Sequence, residues 1–168
     1  TFPYTINILK KYPQNLIQKY SDNYNYNFNK IEIYDVNYID KKIIYNHFEE
    51  FFGKSILLIP FKKIILDIKK NSWINDMHIE SDYKNTLKIF IKEEIPLGVY
   101  NNKNQRMLFS KNLKFLKILK NDKDFSNLIT FYGEDSILNS KNLLSNLDQE
   151  IIDSIASAEY VNKRRWNI

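Results

Sequence analysis

Two runs of alternating apolar and polar residues occupy the segment 73–96 of this 168-residue chain. The first run places three residues on one face: Met77, Ile79 and Ser81. Its opposite face carries three polar residues: Asp76, His78 and Glu80. The second run turns another set inward: Leu87, Ile89 and Ile91. Alternation of this kind is typical of half-buried strands. Phe90 is an apolar exception on the outward face. Polar residues with turn-forming Asp82 and Asn85 lie between the runs, so the segment predicts a β-hairpin with one face in a core.

Two helices are predicted between a first strand, residues 28–36, and this hairpin. Asp40 can cap the first helix, because its carboxylate can accept from the free amides of the first turn. Gly53 stands where a left-handed residue ends a helix, and Pro60 can open the second helix. The order strand, helix, helix, strand, strand predicts an α+β fold, with helices on one face of a three-stranded sheet.

The predicted core of this unit combines the apolar faces of both helices with those of the strands. Its members are Ile31, Ile33, Ile43, Phe48, Ile64, Ile68, Trp73, Leu87, Ile89 and Ile91. Trp73 follows the second helix directly and begins a strand, so we expect its ring to join the helix to the sheet. Replacing a buried aromatic residue with Ala costs about 3–5 kcal/mol.

The rest of the chain divides on both sides of this unit. Before residue 28, Leu16, Ile17 and Tyr20 have helical spacing and predict a short helix, followed by a polar linker over 21–27. After Pro96 the pattern predicts a hairpin over 97–109, an apolar run at 115–119 and a buried strand at 128–131. One or two amphipathic helices follow within 137–155, and then an alternating run that turns at residues 162–163. The predicted domains are therefore 1–27, 28–95 and 96–168.

Neither the composition nor the motifs of the chain predict a catalytic, metal-binding or nucleic-acid-binding site. The net charge is +5, but the lysines are scattered, so nucleic-acid binding is not predicted. The absence of cysteine excludes disulfides and thiolate sites, and no apolar run approaches the roughly 20 residues of a membrane span. His47 and His78 stand apart on separate elements, and the neighbouring pairs Glu49–Glu50 and Glu93–Glu94 are interpreted as solvated faces. We expect no catalytic residues, no metal, no cofactor and no small-molecule substrate.

A family resemblance begins in the hairpin. The pattern Trp-Ile, an alternating strand and then Thr-Leu-x-Ile-x-Ile-x-Glu-x-x-Pro, ending at Pro96, resembles the end of the POTRA domain in the bacterial cell-division family FtsQ, also called DivIB. Ile31-Glu32-Ile33 matches the opening strand of that family, with Asp35-Val36 in place of its usual Gly-Asn. Leu128-Ile129 with Gly133, and the run 164–168 (RRWNI), match strands of its β domain.

The resemblance implies a POTRA domain (β-α-α-β-β), followed by the first part of a mainly antiparallel β domain with a helical segment. It implies a non-enzymatic scaffold of the bacterial inner membrane at the division septum, with this part periplasmic and one transmembrane helix upstream. The partners implied are FtsK, for the POTRA domain, and the FtsB–FtsL pair, for the β domain. Both chain ends are interpreted as cuts in a longer protein, so residues 1–168 are expected to lack later β-domain strands and to fail to bind FtsB–FtsL.

The POTRA arrangement implies that the third strand is central, which leaves the second strand at an edge. The predicted partner-binding edge is Asp76, His78, Ile79, Glu80 and Ser81. Two other interpretations remain: another POTRA-containing protein, of outer-membrane protein translocation, and a basic RNA-binding α+β domain. Repeated POTRA units or a barrel in the full-length protein favour the first, and a salt-dependent gel shift favours the second.

Overall fold

The computed structural model describes residues 13–82, 84–102, 105–120 and 125–168. Helices and strands are mixed, which confirms the α+β class, and the chain divides into two compact units between Glu93 and Glu94. The domain limits drawn from the sequence stay predictions, since a compact unit is not by itself an independently folding domain. The elements of the first unit are α1 (Gln14–Tyr24), β1 (Lys30–Tyr34), α2 (Lys41–Asn46), α3 (Phe61–Ile68), β2 (Ile74–Ser81) and β3 (Thr86–Glu93).

The first unit is built on a three-stranded sheet of order β1-β3-β2. Strands β2 and β3 pair antiparallel, which confirms the predicted hairpin, and β1 pairs with β3 in parallel. The central strand turns Leu87, Ile89 and Ile91 toward α2 and α3, and these side chains are buried with those of both helices in one core. Short 3₁₀ turns at Glu49–Phe51 and Ile56–Leu58 connect the two helices.

Most of the predicted core residues lie in or against this core. Six are buried: Phe48, Ile64, Ile68, Leu87, Ile89 and Ile91. Ile31, Ile33 and Trp73 are partly buried and pack against it. The prediction for Ile43 is wrong, because its side chain is 45% exposed while neighbouring Ile44 is fully buried. Each residue of a helix turns the side chain by about 100°, so the buried face of this short helix runs through residue 44, and Phe48 continues it just beyond the helix end.

The ends of these elements follow local chemistry. Asp40 caps α2 as predicted, since its Oδ1 accepts from the Lys42 backbone N–H at 2.8 Å. Gly53 has φ +76°, but it follows the 3₁₀ turn rather than the helix itself. Asp35 stands where the FtsQ pattern has glycine and keeps a left-handed backbone, with φ +61°. Asp tolerates that conformation better than most residues, so this position does not require glycine.

The polar linker predicted for 21–27 is wrong over its first four residues, because α1 continues to Tyr24. Ser21 is fully buried, and its Oγ lies 2.6 Å from that of Ser55. Gln18 Oε1 also accepts from the Ser55 backbone N–H at 2.8 Å. These hydrogen bonds satisfy the polar groups that are buried between α1 and residue 55. A polar sequence can therefore form a helix that packs on the rest of the first unit. The predictions that concern residues 1–12 lie outside the described residues.

Trp73→Ala is expected to cost about 2 kcal/mol of unfolding free energy, less than a fully buried ring would. The indole is only partly buried and stacks on Tyr38, with ring centroids 4.9 Å apart. Urea unfolding of the variant measures the loss, with Tyr38→Leu as a control that removes the stacked ring but leaves Trp73 in place. A loss of 4 kcal/mol or more would place the ring deep in the core instead.

The second unit contains a six-stranded sheet of order β6-β5-β4-β7-β8-β9. Its elements are β4 (Pro96–Asn101), β5 (Arg106–Ser110), β6 (Phe115–Leu119), β7 (Thr130–Tyr132), α4 (Ser136–Ser145), α5 (Gln149–Ser154), β8 (Ser157–Val161) and β9 (Arg165–Asn167). The sheet is mixed, because β4–β7 and β7–β8 are parallel and the other three pairings are antiparallel. A parallel pair needs a crossover, and the two helices supply it between β7 and β8.

The last hairpin turns where the pattern predicted. Asn162 and Lys163 have φ +50° and +54°, the two successive left-handed residues that a tight hairpin turn needs. The strand that follows, β9, pairs antiparallel with β8, the strand before the turn.

Candidate functional site

Strand β2 is an edge of the three-stranded sheet, and no further strand flanks it within the described ranges. Asp76, His78 and Glu80 are exposed on one face, while Ile79 and Ser81 are half-buried on the other. Ile79 packs against the hydrophobic core of the first unit. The five residues of the predicted site therefore share one strand but divide between its two faces.

Asp76 is already engaged at the start of this strand. Its Oδ1 lies 2.6 Å from Lys69 Nζ and accepts from the Met77 backbone N–H at 2.9 Å. These hydrogen bonds, that from Lys69 first, lower the pKa of Asp76 below its ordinary value. Because the Met77 backbone N–H already donates to this carboxylate, it is not available to a docked strand. The part of the edge that suits docking is therefore His78–Glu80.

An aromatic row crosses the exposed face of the sheet beside this edge. The register aligns Tyr34, Phe90 and His78 on three adjacent strands. The Phe90 ring lies 5.0 Å from the Tyr34 ring and 6.3 Å from the His78 ring, and both pairs are stacked. The sequence placed Phe90 and His78 on outward faces but did not bring them together with Tyr34, because the three residues come from separate parts of the chain.

A row of charged residues runs parallel to the aromatic row. The register places Lys88 between Glu32 and Glu80. Glu32 also binds Lys30 at 2.6 Å and accepts from the Tyr34 hydroxyl at 2.6 Å. A shallow depression of about 380 Å³ opens among these charged side chains. Small-molecule sites are mostly apolar and concave, so this depression gives no reason to assign a substrate.

Asp82 holds the turn of the hairpin that carries the edge. Its Oδ1 accepts from the backbone N–H groups of Lys84, Asn85 and Thr86 at 2.9, 3.0 and 3.0 Å. Burial by itself would raise the pKa of Asp82, but these hydrogen bonds outweigh it and lower the pKa. The ionised carboxylate therefore fixes the turn and, through it, the register of β2 against β3.

The neighbouring carboxylates Glu93 and Glu94 have separate structural tasks. Glu93 accepts from the backbone N–H groups of residues 37, 38 and 39 at 2.9–3.1 Å and so holds the loop before α2. The prediction of a solvated face is wrong for Glu94, whose side chain is 0% exposed and lies 3.0 Å from Lys114 Nζ. Asn112 Nδ2 donates to its other oxygen at 3.0 Å. Because their oxygens are engaged by the backbone of a loop or by neighbouring side chains, both carboxylates are interpreted as structural residues.

The histidines and the acidic residues do not converge in the described part of the chain. His47 is half-buried at the C-terminal end of α2, and His78 is exposed on β2. Among the described residues, no group of three or more His, Cys, Asp or Glu side chains is placed to hold a metal ion. Within the same ranges, none of the helices has both the length and the apolar character needed to cross a membrane.

These features define a class: an α+β protein of two compact units whose candidate site is an exposed sheet edge. No family model matches the chain. Curated relatives named cell division protein FtsQ confirm the resemblance to that family. The relatives of Rickettsia bellii and Rickettsia conorii are each 25% identical over 118 residues, 69% of this chain and 43% of the relative. That of Rickettsia typhi is 27% identical over 116 residues, 68% of this chain and 43% of the relative. The alignments thus span less than half the length of these relatives.

Proposed function

We propose that the chain acts in bacterial cell division as a non-enzymatic scaffold, linking early and late division proteins at the septum through protein–protein contacts. The similarity to FtsQ proteins over more than two thirds of the chain carries this proposal. It favours division over the alternative of outer-membrane protein translocation. In this proposal the chain is the periplasmic part of a bitopic inner-membrane protein with a transmembrane helix upstream.

The first unit is proposed to be a POTRA domain. Its order of elements, strand, helix, helix, strand, strand, and its central third strand support this assignment. The additional helix α1 precedes that pattern and packs against it through Ser21 and Ser55. The second unit is proposed to be the first part of the β domain, and the FtsB–FtsL pair would be the partner of that domain in the full-length protein.

The edge of β2 is proposed to recruit a division partner such as FtsK by strand addition, in which an extended segment of the partner continues the sheet. His78 and Glu80 present polar side chains beside that edge. Charged residues on an edge strand limit indiscriminate pairing, so they would select the partner rather than supply most of the affinity. Asp76, already bound to Lys69 and Met77, would mark where the docked strand ends.

His78→Pro is expected to abolish or strongly reduce partner recruitment, because proline prevents regular pairing along the strand. Glu32→Pro on β1, the opposite edge of the same sheet, is the matched control. The measurement is septal fluorescence of the tagged partner in cells whose native protein is replaced by each variant of the full-length protein. Circular dichroism of each purified variant checks that it is folded.

Glu80→Lys keeps the backbone intact and tests the same surface without proline. It is expected to reduce recruitment several-fold through charge reversal at the edge. Normal recruitment by both folded β2 variants, or equal loss with Glu32→Pro, would refute the assignment of the partner site to β2.

A further inference from the structure

Strand β6 forms one edge of the six-stranded sheet in the second unit. Phe115 and Ile118 on this strand are each 50% exposed. Large apolar side chains exposed next to each other on an edge strand are a hazard that proteins usually avoid. Their exposure therefore calls for a physical reason.

A register shift places these two residues on the same face. Phe115 lies opposite Phe109, and Ile118 lies opposite Met107. Phe109 and Met107 are two positions apart and so share one face of the sheet. Phe115 and Ile118 are three positions apart, which would separate them in a regular strand. The shift between Leu108 and Phe109 brings them together.

The helices of this unit leave that pair uncovered. Phe109 and Phe131 on the same sheet are fully buried in the core that includes Leu143 of α4. Helix α4 packs on β7, which is separated from β6 by β4 and β5. The result is an apolar ledge, formed by Phe115 and Ile118, at the end of the helix-bearing face.

The ledge lies in a strongly basic segment. Residues 111–120 contain four lysines and no acidic residue: Lys111, Lys114, Lys117 and Lys120. Lys114 binds Glu94, and Lys117 lies over the Phe125 ring at 5.1 Å. Lys117 lies opposite Leu108, so it is on the other face from Ile118, which lies opposite Met107. The segment that carries the apolar ledge is therefore basic, and Lys117 lies on the opposite face of the strand from Ile118.

We propose that the β6 edge is a docking site for an extended acidic segment of a partner protein that carries apolar residues between its carboxylates. The apolar residues would lie on the ledge, and the carboxylates would meet the surrounding lysines. An extended peptide can place alternate side chains on both sides of the edge, whereas a flat membrane surface would meet only one side. This site is separate from the β2 edge and does not depend on the division role.

The test uses the 168-residue chain and a fluorescent seven-residue peptide of alternating Glu and Val. The control peptide has Lys in place of Glu, and the third probe is a phosphatidylglycerol vesicle. Fluorescence anisotropy measures peptide binding, and flotation measures vesicle binding. We expect the acidic peptide to bind, the basic peptide to bind at least tenfold more weakly, and the affinity to fall as salt is raised.

Two pairs of variants test the residues. Lys117→Glu with Lys120→Glu is expected to weaken acidic-peptide binding about tenfold or more, and Lys62→Glu with Lys63→Glu on α3 makes the same charge change elsewhere. Phe115→Ser with Ile118→Ser is expected to weaken binding about tenfold. Its control is Leu138→Ser with Ile151→Ser, since both residues are exposed on the helices of the same unit. Amide chemical shifts on β6 should move when the peptide is added.

Three results would overturn the proposal. One is equal or no binding of the acidic and basic peptides by the unmodified chain. Another is equal loss of binding in the test and control variants. The third is binding of vesicles, lost in the β6 variants, without binding of the acidic peptide, which would assign the ledge to a lipid surface.

Discussion

Gly133→Ala is expected to destabilise the second unit by about 4 kcal/mol or more, enough to unfold a small unit under ordinary conditions. Gly133 follows β7 with φ +92°, a backbone conformation that side chains strongly disfavour. A Cβ there would lie 2.3 Å from the Tyr160 carbonyl oxygen on β8. Because that atom belongs to the backbone of a paired strand, it cannot move without disturbing the sheet.

Gly53→Ala is the matched control in the first unit. Gly53 also has a left-handed backbone, with φ +76°, but nothing lies within 4 Å of its added Cβ. Its expected cost is about 1 kcal/mol, from backbone strain alone. Urea unfolding followed by circular dichroism measures both variants. Similar costs for the two glycines would show that the close approach to Tyr160 is relieved by a shift of the sheet.

Glu94→Gln is expected to cost the second unit about 2 kcal/mol at neutral pH, because a buried charge-assisted hydrogen bond is lost and its donors are left poorly paired. Lys114 is 49% exposed and can turn to solvent, so the cost stays below that of breaking a fully buried pair. Chemical denaturation at neutral pH measures the difference.

The same variant should change the dependence of stability on pH. Burial alone would raise the pKa of Glu94, but hydrogen bonds from Lys114, Ser110 and Asn112 outweigh it and lower the pKa from its ordinary 4.5. A lowered pKa in the folded state gives stability that is complete above the unfolded value and is lost as the pH falls through the folded value. Glu94→Gln should lack this acid-dependent loss.

The control for the pH experiment is Glu150→Gln, an exposed residue of α5. It should leave both the stability and its acid dependence close to those of the unmodified chain. If the Glu94→Gln variant lost stability in parallel with the unmodified chain between pH 6 and pH 3, about the range where carboxylates titrate, the pKa of Glu94 would not be linked to folding.

Local patterns predicted the elements that depend on neighbouring residues. The hairpin of β2 and β3, the Asp40 cap and the turn at residues 162–163 each follow from adjacent positions. Ile43 was predicted to be buried where Ile44 is, because an error of one residue in a helix rotates the predicted buried face by about 100°. Ser21 was assigned to a linker because the hydroxyl that forms its hydrogen bond, that of Ser55, is 34 residues away in the sequence.

The candidate site was less predictable for the same reason. Which residues lie on β2 follows from the alternation, but its edge position depends on the strand order, which the family resemblance implied. The row of Tyr34, Phe90 and His78 requires the register of three strands. The pairing of Glu94 with Lys114 spans a whole hairpin, and no local pattern distinguishes this carboxylate from its neighbour.

The pair Glu93–Glu94 makes the boundary between the two units a favourable point for gene recombination. Glu93 accepts hydrogen bonds from the loop at residues 37–39, and Glu94 is bound by Lys114 and Asn112. Division of the chain between them leaves each carboxylate with the unit that it stabilises. A gene exchange at this point would therefore leave each unit with its own anchoring side chain.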